Sequence, residues 1–157
     1  MKRVTTISLF ILLVAGVVFA ASVHFKRNPS FTDTGLTLSS TISLSGLGNQ
    51  DVTIILDAEG TPTTVCQNPG SKETEPAGQN PANFDIPAGS LTIPSSQIKN
   101  GNLTVSLATL QPADPTAQEA GCPNANWDAE ITDVAFTSAT ITVIQGGQVV
   151  LQQTFTL

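Results

Sequence analysis

Apolar and polar residues alternate along much of this chain, and this two-residue period is the feature that most constrains its fold. The alternation is clearest over residues 36–44, 52–58, 103–107 and 149–157. Because successive side chains of a β-strand point to opposite faces, each run predicts a strand with one apolar face. No segment has the spacing of an amphipathic helix over a useful length. The apolar faces therefore need to be buried between two packed sheets or inside a closed barrel.

Turn-forming residues separate these runs. Residues 46–50 (GLGNQ) have the composition of a turn, and Gly146-Gly147 between two β-rich runs predicts a hairpin. We expect residues 60–62 (GTP) to break or bend the second run, which residues 63–66 then resume.

The second half of the chain adds further predicted elements. Residues 84–93 are expected to be extended, and two prolines in and after this stretch confine it to an edge or bent strand. Residues 95–98 predict one tight turn of helix. Two separate strands are predicted over residues 127–136 and 139–144.

Seven to eight short strands rich in Thr, Val and Ile suit pleated, half-buried surfaces. We therefore predict an all-β fold, an antiparallel β-sandwich of the immunoglobulin-like type, as a single domain over residues 21–157. Residues 67–83 and 111–126 are rich in Pro, Gly, Asn and Gln and are predicted to be two long exposed loops.

Residues 1–20 are organised like a secretory signal peptide. Two basic residues precede an apolar run over residues 7–19, and small residues at positions 18 and 20 suit a cleavage site after Ala20. The alternative is an uncleaved membrane anchor, because residues 7–25 are just long enough to span a bilayer. A basic pair after that run would then lie on the outer side, against the positive-inside tendency.

The charge balance argues against nucleic acid and anionic lipid as partners. Loss of residues 1–20 would remove two of the six basic residues and change the net charge from −6 to −8. Affinity for nucleic acid depends on many Lys and Arg side chains that neutralise phosphates. The acidity is instead typical of solubility outside the cell.

Cys66 and Cys122 are the two cysteines of the chain. An even count in an exported protein predicts a disulfide, here one that ties together two loops or a loop and a strand end. A metal-binding pair or a free nucleophile is the alternative. Neither has supporting residues, because the single histidine, His24, lies beside the cleavage region.

Carboxylates are the remaining acid–base groups present in number. Asp57 and Glu59 are two residues apart, as are Asp128 and Glu130, with Asp133 close by. Side chains at this spacing share one face of a strand, about 6.6 Å apart. Such pairs could hold a calcium ion or form a glycosidase-like dyad, and they are also common on a solvated strand face without any function.

Trp127 lies between an Asn-containing loop and Asp128. In that position the indole could stack on a sugar ring while amides and carboxylates bind its hydroxyls. Alternatively, Trp127 covers one end of the core beside the disulfide. The chain contains no Tyr, and its Phe residues are scattered, so the sequence does not predict an aromatic platform.

Four segments together resemble a group of small exported bacterial proteins that carry no assigned activity. They are residues 65–70 (VCQNPG), 77–81 (AGQNP), 120–127 (AGCPNANW) and 131–142 (ITDVAFTSATIT). The resemblance covers most of the exported part of the chain. It implies an exported bacterial β-domain and implies no catalytic residues.

The sequence therefore favours a non-enzymatic exported β-sandwich, secreted or held in the cell envelope. It would act as an interaction or structural module for a protein or glycan, through its disulfide-tied loops or an exposed sheet edge. A carbohydrate- or calcium-binding module using Trp127, Asp128, Glu130 and Asp133 is one alternative. A small carboxylate-dependent hydrolase is another. No cofactor is expected apart from calcium in the first alternative, and membrane contact is expected only if residues 7–25 remain attached.

Overall fold

A computed structural model describes residues 22–70, 74–77 and 84–157. The described residues form nine β-strands and a 3₁₀ turn over Ser95–Gln97. The strands are β1 (His24–Phe25), β2 (Ser30–Asp33), β3 (Leu38–Ser45), β4 (Val52–Gln67), β5 (Thr74–Ala77), β6 (Gly89–Ile93), β7 (Leu103–Ala108), β8 (Asp128–Gln145) and β9 (Gln148–Thr156).

The strands form two antiparallel sheets. In the first sheet β3 is central, β7 pairs with one edge of it, and β1 and β2 follow each other along the opposite edge. In the second sheet β4 and β8 are central, β9 pairs with β8, and β6 and β5 follow each other along the outer edge of β4. With β1 and β2 together as strand A, β3 as B, β4 as C, β7 as E, β8 as F and β9 as G, strands A, B and E form one sheet and strands C, F and G the other, which is the immunoglobulin-like arrangement. The predicted all-β antiparallel sandwich is confirmed.

The core lies between the inner faces of the two sheets. It consists of alternate aliphatic residues from five strands, as the two-residue period predicts. These residues are Leu38, Ile42, Leu44, Val52, Ile54, Leu56, Ile93, Leu103, Ala139, Ile141 and Val143. Phe25 and Phe31 of the first sheet close one side of the core against Phe155 of β9, with ring centroids 5.6 Å and 5.4 Å apart.

The two central strands are longer than predicted. Residues 60–62, expected to break or bend the first of these strands, do not break it: β4 is continuous from Val52 to Gln67, and its pairing with β8 shifts register between Glu59 and Gly60. A Cβ on Gly60 would lie 2.8 Å from the Ala135 carbonyl oxygen, so glycine allows a close approach to β8 at this point. Pro62 is accommodated because no described strand pairs with residues 57–64 on the outer edge of β4, where its missing N–H is not needed.

The predicted division of residues 127–144 into two strands is wrong. β8 is continuous over Asp128–Gln145, and the irregularity near Thr137 is a bulge in the pairing with β4. A bulge inserts one extra residue without ending the strand. β4 and β8 therefore form a ribbon that extends beyond the main core, over a second apolar cluster of Ile86, Ile131 and Val134.

The predicted loop over residues 67–83 contains a strand. β5 pairs with the last three residues of β4, so this stretch is only partly irregular. Residues 71–73 and 78–83 lie outside the described residues. Of the stretch predicted to be extended over residues 84–93, only the last five residues form an edge strand, β6. Two other local predictions are confirmed: Ser95–Gln97 is a short helical turn, and Gly146 and Gly147, with φ of 61° and 75°, form the β8–β9 hairpin.

Ser40 leads to a test of this packing. Its hydroxyl faces the core between Leu38 and Ile42 and has no hydrogen-bond partner among the described residues. We expect Ser40→Ala to raise the free energy of unfolding by about 1 kcal/mol, because an unsatisfied buried hydroxyl is removed at little loss of volume. Denaturant titration measures the change.

Ser43→Ala is the matched control. The Ser43 hydroxyl lies on the opposite face of β3 and is bonded to Thr104 Oγ1 at 3.1 Å. We expect this variant to be neutral or destabilised by up to about 1 kcal/mol. Equal stabilisation of both variants would contradict the difference between the two hydroxyls.

Candidate functional site

A disulfide joins the end of β4 to the segment that precedes β8. Cys66, the penultimate residue of β4, is bonded to Cys122 with their Cα atoms 5.7 Å apart. The predicted pairing is confirmed, and so is its position between a strand end and a loop. Cys66 is 1% exposed, so the bond enters the protein interior at the end of the ribbon. We call this end of the molecule the disulfide pole.

The segment attached by the disulfide, residues 109–127, is irregular but well anchored; we call it the tied segment. Its central turn is capped by Glu119, whose Oε2 accepts hydrogen bonds from the Thr116 backbone N–H (2.9 Å) and hydroxyl (2.7 Å). Cys122 N–H donates to the Ala117 carbonyl at 2.8 Å, and Ala120 is fully buried beneath the turn. The segment thus presents polar side chains on a held backbone.

The hydrogen bonds from Thr116 also affect titration. The backbone N–H and then the hydroxyl of Thr116 lower the pKa of Glu119, because both favour the ionised carboxylate. A lowered folded-state pKa stabilises the fold above the unfolded-state value, and this contribution is lost as the pH falls through the folded-state value. The turn is therefore held at neutral pH and loosens in acid.

A second anchor ties the segment to β8. Asp114 Oδ1 accepts a hydrogen bond from the backbone N–H of Ile131 at 2.8 Å. The edge of β8 that pairs with β9 continues past the end of β9 without a strand beside it. There the backbone N–H of Val134 donates a hydrogen bond to the Gly35 carbonyl at 2.9 Å. The Asp114 carboxylate and the turn at Gly35 thus accept the backbone hydrogen bonds that a neighbouring strand would otherwise accept, so this part of the β8 edge is not open for pairing.

Asp114 provides a test of this anchor. We expect Asp114→Ala to lower the free energy of unfolding by about 1–3 kcal/mol, because the N–H of Ile131, a residue only 2% exposed, loses its acceptor. Chemical denaturation gives the loss, and hydrogen exchange at the Ile131 amide should accelerate.

Asp114→Asn retains an oxygen at the same position and serves as the control. We expect it to lose less than half as much stability as Asp114→Ala. A similar loss in both variants would show that charge, and not the hydrogen bond to Ile131, matters at this position.

The predicted acidic residues do not come together. Asp128 and Glu130 are exposed at the start of β8, opposite Gln67 and Val65 of β4. Asp57 and Glu59 lie six or more ladder positions away from them, which corresponds to at least about 20 Å along the ribbon. Glu59 accepts a hydrogen bond from the Ser138 hydroxyl at 2.9 Å. The two pairs therefore belong to different parts of one outer sheet face.

Asp133 is separated from Glu130 by a bulge. The extra residue is Thr132, and it leaves Asp133 exposed opposite Thr63 and beside the turn at Gly35. Among the described residues, no three His, Cys, Asp or Glu side chains form a group that could hold a metal ion.

Trp127 immediately precedes β8 and is half-buried. Its backbone N–H donates to the Asn124 carbonyl at 3.1 Å, within a turn that Asn124 also stabilises through its side chain and Asn126 N–H. Trp127 belongs to neither of the apolar clusters formed by the described residues. The structure therefore places Trp127 at the disulfide pole, next to Asp128 in the chain.

Sequence reasoning missed Asp114 and Glu119, which hold the tied segment in place. Both lie in an irregular stretch where no hydrophobic period indicates their role. Glu119 has a usable signal, because Thr116 three residues earlier completes a capping-box spacing. The contact between Asp114 and Ile131 joins residues 17 apart in the sequence and has no local signature.

None of the helices in the part of the chain that the structure describes has the length and apolarity needed to cross a membrane. Comparison with known proteins adds no assignment: the sequence matches no protein-family model and no curated protein.

Proposed function

We propose that this chain is a non-enzymatic exported interaction module that presents its disulfide pole to a protein or glycan outside the cytoplasm. The observation that carries the proposal is the opposite placement of two features: the chain enters the sandwich at one end, and the tied segment lies at the other.

The entry point is well defined. A Cβ on Gly46 would lie 2.5 Å from the Ser22 carbonyl oxygen, so the first described residue packs on the turn between β3 and β4. The Gln145 side chain binds Gly48 and Gln50 and attaches the end of β8 to the same turn. We call this end the N-terminal pole. β8 spans the distance to the disulfide pole with 18 residues, about 55 Å of extended chain.

The tied segment has the properties of a recognition surface. Loops on a rigid scaffold are frequent sites of binding. Here the disulfide, the Asp114 anchor and the Thr116–Glu119 cap lower the conformational entropy that a partner would otherwise have to remove. Trp127 and exposed Asn side chains supply both apolar and hydrogen-bonding contacts at this pole.

Two observations support export. The disulfide is typical of oxidising compartments outside the cytosol. In addition, Val23 is buried and β1 begins at His24, so the last residues of the 7–25 run belong to the first sheet. The rest of that run, residues 7–21, lies outside the described residues. The place of the last residues in the first sheet favours a cleaved signal peptide, as does the resemblance to small exported bacterial proteins.

Export is tested by expressing the full chain in a bacterial host and measuring the intact mass and the free thiols of the product. We expect a protein that begins at Ala21 and has no reactive thiols. A full-length mass, or two titratable thiols in native protein, would contradict the proposal.

Recognition at the disulfide pole is tested by a photoreactive amino acid at Gln118 in producing cells. Gln97, exposed near the N-terminal pole, is the matched control position. We expect light-dependent cross-links from position 118 and none from position 97. Absence of cross-links at position 118, or equal products at both, would overturn the proposal.

The alternatives have different signatures. A glycan-array signal or a calcium-dependent rise in melting temperature that is lost in Trp127→Ala or Asp128→Ala would establish the carbohydrate- or calcium-binding module instead. Turnover of a substrate that is lost in Glu130→Gln with the fold intact would establish a hydrolase.

A further inference from the structure

The free edges of the two sheets differ in how they are protected. β2 has four residues and carries Asp33, and β6 is flanked by Pro87 and Pro94. β7 has six residues, and the chain before β6 covers the end of its free edge, where Leu110 N–H, two residues beyond β7, donates to the Pro87 carbonyl. Short length, charge, proline and covering segments are the usual means by which proteins prevent edge-to-edge association.

β9 has none of these protections over most of its length. It comprises nine residues, QVVLQQTFT, and contains no charged residue, proline or glycine. Its one irregularity is a bulge near Val150, before the regular stretch over residues 151–156. No described strand pairs with its outer edge.

The direction of the unpaired backbone groups follows from the ladder. Leu157 N–H donates to the Thr137 carbonyl of β8. Because successive residues of an antiparallel strand direct their backbone groups to opposite sides, Leu151, Gln153 and Phe155 also face β8. The N–H and C=O groups of Gln152, Thr154 and Thr156 therefore point outward.

This edge is self-complementary. If β9 pairs antiparallel with β9 of a second copy, with Gln153 opposite Gln153, then Leu151 lies opposite Phe155 on the inner face. Gln152 lies opposite Thr154 on the outer face, and both have free backbone groups. Four interchain backbone hydrogen bonds result, together with an apolar pair and an amide–hydroxyl pair on each side of the axis.

Charge also favours a second copy at this edge. The chain has a net charge of −6, so two copies repel each other over most approaches. Along residues 148–157 they meet without any charged side chain.

We propose that two copies of this chain associate through their β9 strands in this register, forming one continuous sheet across a two-fold axis. The disulfide poles then remain uncovered, because β9 ends opposite Ser138, well before the start of β8. The association is independent of the proposed recognition at that pole.

The test is sedimentation of the purified exported protein between about 1 and 500 μM. We expect a monomer–dimer equilibrium within this range, because an edge pairing of this length buries less surface than a standard stable interface. A single monomeric species throughout the range would overturn the proposal.

Charge reversal tests the register. Gln153→Lys and Gln153→Glu each place like charges opposite each other, and we expect dimerisation to weaken about tenfold in each. An equimolar mixture of the two variants should dimerise at least as tightly as the unchanged protein. Gln118→Lys, the same substitution on the tied segment, should leave the equilibrium unchanged. A dimer that is insensitive to both Gln153 variants, or not restored by mixing them, would overturn the proposed register.

A proline variant tests the backbone bonds. Thr154→Pro removes an outward N–H that β8 does not use, a position where edge strands tolerate proline. We expect no dimer at any concentration tested, with a cooperative melting transition retained. A dimer that persists in folded Thr154→Pro would overturn the proposal.

Truncation after Gly147 is not a suitable test, because it would uncover Ile141 and Val143 of the core.

Discussion

Removal of the disulfide should lower the free energy of unfolding by about 4 kcal/mol, because the bond closes a loop with a sequence separation of 56 residues and restricts the unfolded chain accordingly. In a domain of this size, such a loss corresponds to a fall in melting temperature of about 15 °C. The double variant Cys66→Ala/Cys122→Ala, compared with the oxidised protein by denaturant titration and calorimetry, measures the effect.

The unchanged protein under reducing conditions is the control for packing. Cys66 is 1% exposed, so its replacement by alanine removes a buried sulfur in addition to the cross-link. We expect the reduced protein to lose slightly less stability than the double variant. A loss below about 1 kcal/mol on reduction would mean that the Asp114 anchor and the Thr116–Glu119 cap hold the tied segment without help from the bond.

Gly89→Ala should lower the free energy of unfolding by about 3 kcal/mol, the upper part of the usual range for overpacking a core. Gly89 begins β6, where that strand crosses the end of β7, and a Cβ there would overlap the carbonyl oxygen of Ala108. The atom in the way belongs to the backbone and cannot move by a change of rotamer. The variant must therefore separate β6 from β7 at the side of the sandwich.

Gly70→Ala is the matched control for this substitution. Gly70 is exposed and does not have a positive φ, and a Cβ there would come no closer than 3.4 Å to the Asn68 side chain. We expect its stability to change by less than about 0.5 kcal/mol. A similar loss in both variants would indicate a general effect of replacing glycine, and would argue against a close approach of β6 to β7.

The alternation of apolar residues locates β3, β7 and β9 well, because each strand packs one face on the core and leaves the other polar. The same signal is less reliable in β4. Gly60 and Pro62 normally interrupt strands, but here glycine permits contact with Ala135, and proline lies where the outer edge of β4 lacks a partner. Both reasons depend on neighbours distant in the sequence, so no local sequence pattern could predict that the strand continues through these two residues.

The candidate site shows the same division between local and long-range information. The Cys66–Cys122 pairing is predictable because two cysteines in an exported chain allow one intramolecular bond. The separation of Asp57 and Glu59 from Asp128 and Glu130 is not predictable, because it depends on the register between β4 and β8. A one-residue change in register would move these side chains to other faces and other neighbours.

The uninterrupted pairing of β4 with β8 also determines how the molecule would carry tension. A pull on the tied segment passes through Cys122 and Cys66 into the end of β4, along the axis of the strand. The tied segment also continues directly into β8 at Asp128, so the two central strands are loaded together at the same end and their sixteen paired positions share the load. The disulfide thus keeps the tied segment joined to both central strands when the disulfide pole is pulled.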